Sequence, residues 1–346
     1  MTYKSMVLSI IRMVSAPIST FSSIIIMVMI CRSPTKLSTT RDRLLFGLSI
    51  SDMIFSIAVS LGTIPMPRQT PNVWIPMGNF TTCEIQAFLI TFSGTVAPCY
   101  NAGMCIFSLL KVTFNMDDNK IRTKVEPFLH IVPFIISLST CIYCTVKNYF
   151  NPAIAICTLI DYPFHCSRMP NVPCERGENL FEDWGIIIYG LAPFFLVPLI
   201  IIISMGVICM TVWKQERKLK NYSQELDQAI TTTDNESLMK SKTVMYQGLA
   251  YSGAWLIYTI FPLIQLMCWI AGRPSGFLLN ILIAIFSPLQ GFFNLLVFLF
   301  PRIRATCQSE TGCSLFRTFI SVVQGENRTR RPNGIKRRGV LGANRV

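Results

Sequence analysis

Asp52 is the one carboxylate set deep inside an apolar run of this 346-residue chain. Ser49, Ser56 and Ser60 share its face at helical spacing. An ionisable group in hydrocarbon costs about 2.5–3.5 kcal/mol on insertion scales, so it must turn toward protein and find partners. Two chemistries suit such a group. One is a switch, worked by protonation or by binding a cation such as Na+; the other is a neutral or hydrogen-bonded lock between helices. A second polar set faces the same question. Asn280, Ser287 and Asn294 follow one another at seven-residue intervals, close to two helical turns, so they point the same way. Pro288 has no N–H, which leaves the Ala284 carbonyl without its usual partner and bends the helix. In lipid that carbonyl needs a protein or water partner, so the face looks inward. Asn101 and Ser108, also seven apart, either join this network or simply pack.

The elements that must hold these groups are long and apolar. The chain is 51% hydrophobic and 14% charged, against about 25% charged residues in soluble domains. The missing charge is concentrated in seven runs, at about 7–31, 43–65, 84–110, 127–146, 184–213, 243–271 and 276–300. Each is long enough for a transmembrane helix. The expected class is therefore an all-α membrane protein, a seven-helix bundle over residues 1–305 with a basic tail over 306–346. Alternating β-barrel strands and internal repeats are not found. Lys and Arg near the spans are twice as frequent after odd-numbered spans as on the other side. The positive-inside rule then puts the N-terminus outside and the C-terminus in the cytosol. The first span serves as its own insertion signal. The net charge of +13 belongs to the cytosolic face, where anionic lipid and a cytosolic partner account for it without nucleic acid.

On the outer face lie Cys83, at the start of the third span, and Cys157, Cys166 and Cys174 in the longest loop. Four cysteines outside a cell imply bridges, with three possible pairings; Cys83–Cys157 with Cys166–Cys174 is favoured. Asn79 begins a glycosylation sequon. Gln86, Thr91, Tyr189, Tyr258, Gln265, Trp269 and Asn280 are candidate walls of an outer pocket, each equally at home as packing. Pro262 is a second bend, in the sixth span. The second span is expected to end at Pro65 and Pro67. The fifth helix is expected to continue into the cytosol through KQERKLKNY, with TTTDNES as a flexible middle of the following segment. In the tail, Cys307 and Cys313 are palmitoylation candidates. Leu315, Phe316, Phe319, Ile320 and Val323 can form the apolar face of an interfacial helix. His130 and His165 lie on opposite sides of the membrane, which leaves no metal cluster. No nucleophile–base pair appears within the spans, so an enzyme is not expected.

Several local words resemble one group of proteins: SISD at 49–52, YNA at 100–102, KVEPFLH at 124–130, CERGE at 174–178, and PLQGFFN with FPR over 288–302. With seven spans and a cysteine opening the third, they resemble the cyclic-AMP-receptor-like and rhodopsin-like G-protein-coupled receptors of eukaryotic microbes, diatoms among them. The resemblance covers about residues 15–305. It implies a receptor that activates a heterotrimeric G protein after an outer ligand, a small molecule or a peptide, shifts the helices. Carried across by position, Asp52 matches the polar hub of the second span, Cys83 and Cys157 the bridge, and Asn294 the inner motif of the seventh.

Two departures stand out. The third span ends LLKVTFNM in place of an acid–Arg–Tyr triplet, with Lys111 as the substitute cation beside Lys214 and Lys218 as expected G-protein contacts. The seventh span lacks the tyrosine of the familiar Asn-Pro-x-x-Tyr ending. They leave a non-coupling scaffold as the alternative. A transporter or channel is the lesser rival, since one mid-membrane acid is few for ion coordination. Retinal is excluded as cofactor, because a Schiff base needs a lysine and the seventh span has none. Cyclic AMP would need a cation for its phosphate, and the outer halves of the spans are expected to hold none.

Overall fold

The computed structural model describes residues 2–33, 36–164, 166–169, 172–178, 180, 183, 185, 192–222, 228–271, 273 and 276–309. Eight helices are built there: α1 (Thr2–Arg32), α2 (Thr40–Ser60), α3 (Phe80–Val112), α4 (Asp118–Val146, with a π-helical stretch at Ile121–Val125), α5 (Ala192–Tyr222), α6 (Gln228–Ile270), α7 (Phe277–Phe286) and α8 (Gln290–Ser309). A 3-10 turn, Ser287–Leu289, joins the last two into one span. Among the described residues, seven spans are long and apolar enough to cross a membrane. The chain divides into two compact units: Met1–Phe298, which holds the bundle, and Leu299–Val346, of which the described part is the end of α8.

Local chemistry sets several boundaries. Thr39 caps α2, accepting from the Asp42 N–H at 3.1 Å. Asn79 and Thr82 form a reciprocal capping box on α3, at 2.9 and 2.8 Å, which satisfies two orphan donors. The second span was expected to run to Pro65, but α2 stops at Ser60. Gly62 takes a left-handed φ of +53°, and Gln86 Nε2 donates to the Ala58 and Gly62 carbonyls at 2.9 Å each. A tertiary contact thus takes the carbonyls that another helical turn would have used. A second correction concerns TTTDNES. The helix begins at Gln228, so these seven residues form its first turns rather than a flexible linker. The fifth helix does extend past the apolar run, to Tyr222.

The bundle's interior is polar by the standards of a membrane protein, with nine buried serines in α1 and α2 alone. Small hydroxyl-bearing residues let helix backbones approach closely. The opposite faces are apolar and exposed, as with Phe128, Ile131, Ile135 and Ile142 on α4, which is what a lipid-facing surface requires. At the end of the bundle where α1 begins, an antiparallel hairpin pairs β1 (Phe150–Pro152) with β2 (Cys157–Leu159). Its tip enters the bundle: Ala155 packs with Leu8 and Ala284, and Ile156 with Ala16, Ala58 and Ile90.

Candidate functional site

The last span is broken where the missing proline N–H requires. The Ala284 carbonyl accepts from Ser15 Oγ of α1 at 3.1 Å. The Pro288 carbonyl accepts from Ser56 Oγ of α2 at 3.3 Å. Beyond the 3-10 turn, the Gly291 N–H donates to Ser19 Oγ at 3.0 Å. Three hydroxyls from two other helices therefore hold backbone groups that a continuous helix would pair internally. Glycine is needed at 291 for that approach, since a Cβ there would lie 2.3 Å from Ser23 Oγ and 2.7 Å from Ser19 Oγ. Ser287 sits half-buried in the turn and Pro288 is buried.

Two turns further on, Asn294 Nδ2 donates to Asp52 Oδ2 at 2.7 Å, both residues being nearly inaccessible. Asp52 Oδ1 is buried with no hydrogen-bond partner. Asn101 is also buried, and neither its amide oxygen nor its nitrogen is bonded. Gly47 packs on Tyr100 and Gly94 on Phe55, so α2 and α3 run closely side by side through this region. The Tyr258 hydroxyl of α6 is buried without a hydrogen-bond partner. Its ring meets Trp255 edge to face, with centroids 6.4 Å apart. Asp52 Oδ1 and Asn101 Oδ1 are unused hard oxygen atoms, the type of donor a cation such as Na+ takes. Pro262 lies one turn past Tyr258 within α6, half-buried.

At the end of the bundle opposite the hairpin lies a network that the sequence does not announce. Glu126 of α4 accepts from Thr40 at 2.7 Å, from Arg43 Nη2 at 2.6 Å, and from Arg43 Nε. His130 Nε2 stands 3.8 Å from the same carboxylate, and its Nδ1 lies 3.0 Å from the Tyr100 hydroxyl. Its trace in the sequence is an acid and a histidine four residues apart in KVEPFLH, which share a helix face. Lys111 is held by Asp118 at 2.6 Å. Lys214 and Lys218 are exposed on α5. Nearby, Glu216 of α5 pairs with Lys242 of α6 at 3.2 Å. A small cleft opens at this end, lined by Arg41, Met104, Ser108, Val244, Gly248 and Tyr251 among others.

The candidate pocket walls do not all converge. Gln86 is fully engaged, since besides α2 its Oε1 accepts from the Cys157 N–H at 3.1 Å. It ties α2, α3 and the hairpin together. Gln265 Nε2 donates to Asn280 Oδ1 at 3.0 Å, joining α6 to α7. Thr91 is half-buried in α3. Tyr189 lies outside the described residues, as do Cys313 and the apolar stretch after it; for Trp269 and Cys307 the helix is described but not the side chain. The expectation that no cation sits in the hairpin-side halves of the spans is corrected. Because α1 starts at Thr2, Arg12 lies about 15 Å along it, well inside the bundle. Its signal in the sequence is a lone charge within the first run.

Both favoured disulfides are formed, Cys83–Cys157 and Cys166–Cys174. Asp161, Cys166 and Cys174 cluster closely, but the cysteines are bonded to each other and the buried Asp161 accepts from the Ser167 N–H at 2.8 Å. This is a loop brace. Asn79 is exposed while its Oδ1 caps α3. Asp183 accepts from Tyr149 at 2.5 Å and from Tyr143 at 2.7 Å. Those two hydrogen bonds hold its carboxyl below the usual range. Burial, and then the neighbouring Asp183, push the Tyr149 phenol up.

These features define a multi-pass membrane protein with a seven-helix bundle and a broken last helix. No family model and no curated protein matches the chain. Among solved structures, the crystal structure of squid rhodopsin is similar at a TM-score of 0.62 and 14% sequence identity, covering 89% of this chain and 81% of that one. The likeness is one of fold.

Proposed function

We propose that the chain is a cell-surface receptor of the plasma membrane, with its N-terminus and hairpin outside and its C-terminus in the cytosol. An extracellular small molecule or peptide shifts the helices, and a heterotrimeric G protein answers. Its local words resemble those of the microbial cyclic-AMP-receptor-like and rhodopsin-like receptors. It works without retinal, is not an enzyme, does not bind nucleic acid, and its basic tail meets anionic lipid.

One observation carries this reading: the break in the last span, held by Ser15, Ser19 and Ser56 and set two turns from the Asp52–Asn294 pair. A switch needs two packings within a few kcal/mol of one another. Interhelical hydroxyl bonds in membranes are worth about 0.6 kcal/mol on average and up to about 1.7. Three of them hold the break at a total of about 2–5 kcal/mol, small enough for a ligand to reverse. The Pro262 bend gives α6 a weak point beside the same hub. Sodium, where present, would be held by Asp52 and Asn101 and would supply positive charge to the unpaired carboxylate oxygen. Movement of α5 and α6 would widen the cleft at Arg41, Met104 and Tyr251 for a helix of the G protein, with the exposed Lys214 and Lys218 of α5 as further contacts.

A second reading, the non-coupling scaffold, is favoured by Lys111, which is bound to Asp118 rather than free at the end of α3. A cellular G-protein reporter, run with a panel of small metabolites and with Asp52→Asn, separates the two. Coupling predicts a changed response at unchanged surface expression. Silence under every ligand, and with activating substitutions at the hub, selects the scaffold.

A further inference from the structure

Arg12 is the most anomalous charge in the bundle. Its neighbours Ile10 and Val14 are 44% and 62% exposed on the lipid side of α1. Two residues turn an α-helix by about 200°, so Arg12 points away from lipid and into the protein. Its Nη1 is buried with no hydrogen-bond partner. Among the described residues the guanidinium has no ion pair or hydrogen bond. A guanidinium offers five N–H donors in a planar fork suited to carboxylate and phosphate. The residue as a whole is half-buried; leaving one guanidinium nitrogen buried and unpaired is destabilising, and intramembrane charges that persist face a cavity or a functional partner.

Its surroundings restrict what could pair with it. One turn toward the N-terminus, Leu8 packs with Ala155 of the hairpin tip and Ala284 of α7, with Ile11, Phe277 and Ile281 against them. One turn the other way, Ser15 is committed to the Ala284 carbonyl. Apolar side chains thus flank the unpaired cation on this face of α1, with the buried, unbonded Ser9 hydroxyl three residues before it. At the mouth of the α1–α7 seam the exposed Lys4 ammonium lies 5.4 Å from the Phe277 ring centroid, adding positive charge along the entry.

We propose that Arg12 anchors a ligand site at the α1–α7 seam for a small amphiphile with one terminal oxyanion, carboxylate or phosphate, on an apolar body. The oxyanion takes the guanidinium fork, and the apolar body replaces side-chain contacts along Leu8 and Ile281. Binding here bears directly on the broken helix, because Ser15, three residues from Arg12, holds its freed carbonyl. The proposal names a ligand class for the receptor reading and rests on that reading only for the signalling consequence.

The test uses the full chain in nanodiscs of zwitterionic lipid, with dodecyl phosphate, dodecanoate, dodecanol and dodecyltrimethylammonium as probes. Thermal melting and direct binding are read for the wild type, Arg12→Lys and Arg12→Gln. Expected is binding of at least one anionic probe about tenfold or more tighter than dodecanol, with the cationic probe weakest. Arg12→Gln loses that preference, and Arg12→Lys keeps part of it. The two anionic arms separate a carboxylate from a phosphate ligand. A wild type that binds the alcohol as well as both anions overturns the proposal without need of any variant. So does an Arg12→Gln chain that melts lower unliganded yet keeps its preference, which would make the guanidinium an internal brace. Anion binding that triggers no G-protein response sustains the site and counts against the receptor reading. A G-protein response to other ligands that is unchanged in Arg12→Gln does the reverse.

Discussion

Replacing Pro288 by leucine should make Ser15 dispensable. In the native chain the Ala284 carbonyl has no helical donor, and Ser15 Oγ supplies one at 3.1 Å. Ser15→Ala leaves a buried carbonyl unpaired. The soluble-protein scale for that loss is about 1–3 kcal/mol, while measured interhelical bonds in membranes average about 0.6 and reach about 1.7 kcal/mol. The membrane scale governs here, because in bilayer the disrupted state also finds partners, so about 1 kcal/mol is expected. Pro288→Leu introduces an N–H four residues after Ala284, the spacing of an intrahelical bond. In that background Ser15→Ala should cost close to nothing, so the two changes should couple by about 0.6–1.7 kcal/mol. The measurement is a double-mutant cycle from equilibrium unfolding in mixed micelles. If Ser15→Ala costs the same in both backgrounds, the hydroxyl is not serving the carbonyl that proline orphaned, and the account of the break fails.

The Glu126 network should behave as a buried ion pair. Glu126→Gln strands Arg43, and breaking such pairs typically costs about 3–5 kcal/mol; Arg43 is partly solvated, so unfolding should show a loss near the lower end, about 3 kcal/mol. Asp183 gives a pH signature. Its carboxyl is depressed in the folded state, so its contribution is complete above the unfolded value of about 3.9 and disappears as pH falls through the lower folded one. The raised Tyr149 phenol contributes fully below about pH 10 and loses its contribution as pH climbs through its higher folded value. Tyr149→Phe should therefore raise the pH of the acid-unfolding midpoint. An unmoved acid limb would show that Asp183 draws nothing from that phenol.

Much of the architecture follows from where charge is missing. Seven runs poor in charge define seven spans because each backbone polar group in hydrocarbon needs an internal partner, which only a helix of sufficient length supplies. The same logic marked Asp52 as needing a partner and Ala284 as needing a donor. Periodicity gives the face on which a side chain sits. It does not give what stands opposite. The donor to Ala284 lies 269 residues away in sequence, and the partner of Asp52 lies 242 away, so no local pattern could name either.

Tertiary packing decided the rest. The end of α2 was misplaced because proline is a local stop signal, whereas Gln86 takes the Ala58 and Gly62 carbonyls from another helix. TTTDNES has the composition of a linker, yet it is the start of α6, whose long apolar continuation carries the nucleated helix back through it. Glu126 and His130 were visible as a helix-face pair, but Arg43, Thr40 and Tyr100 come from α2 and α3. Arg12 was legible as a charge in an apolar run. Only the packed bundle shows that it turns inward without a partner, because satisfaction of a buried charge depends on every helix around it and not on the one that bears it.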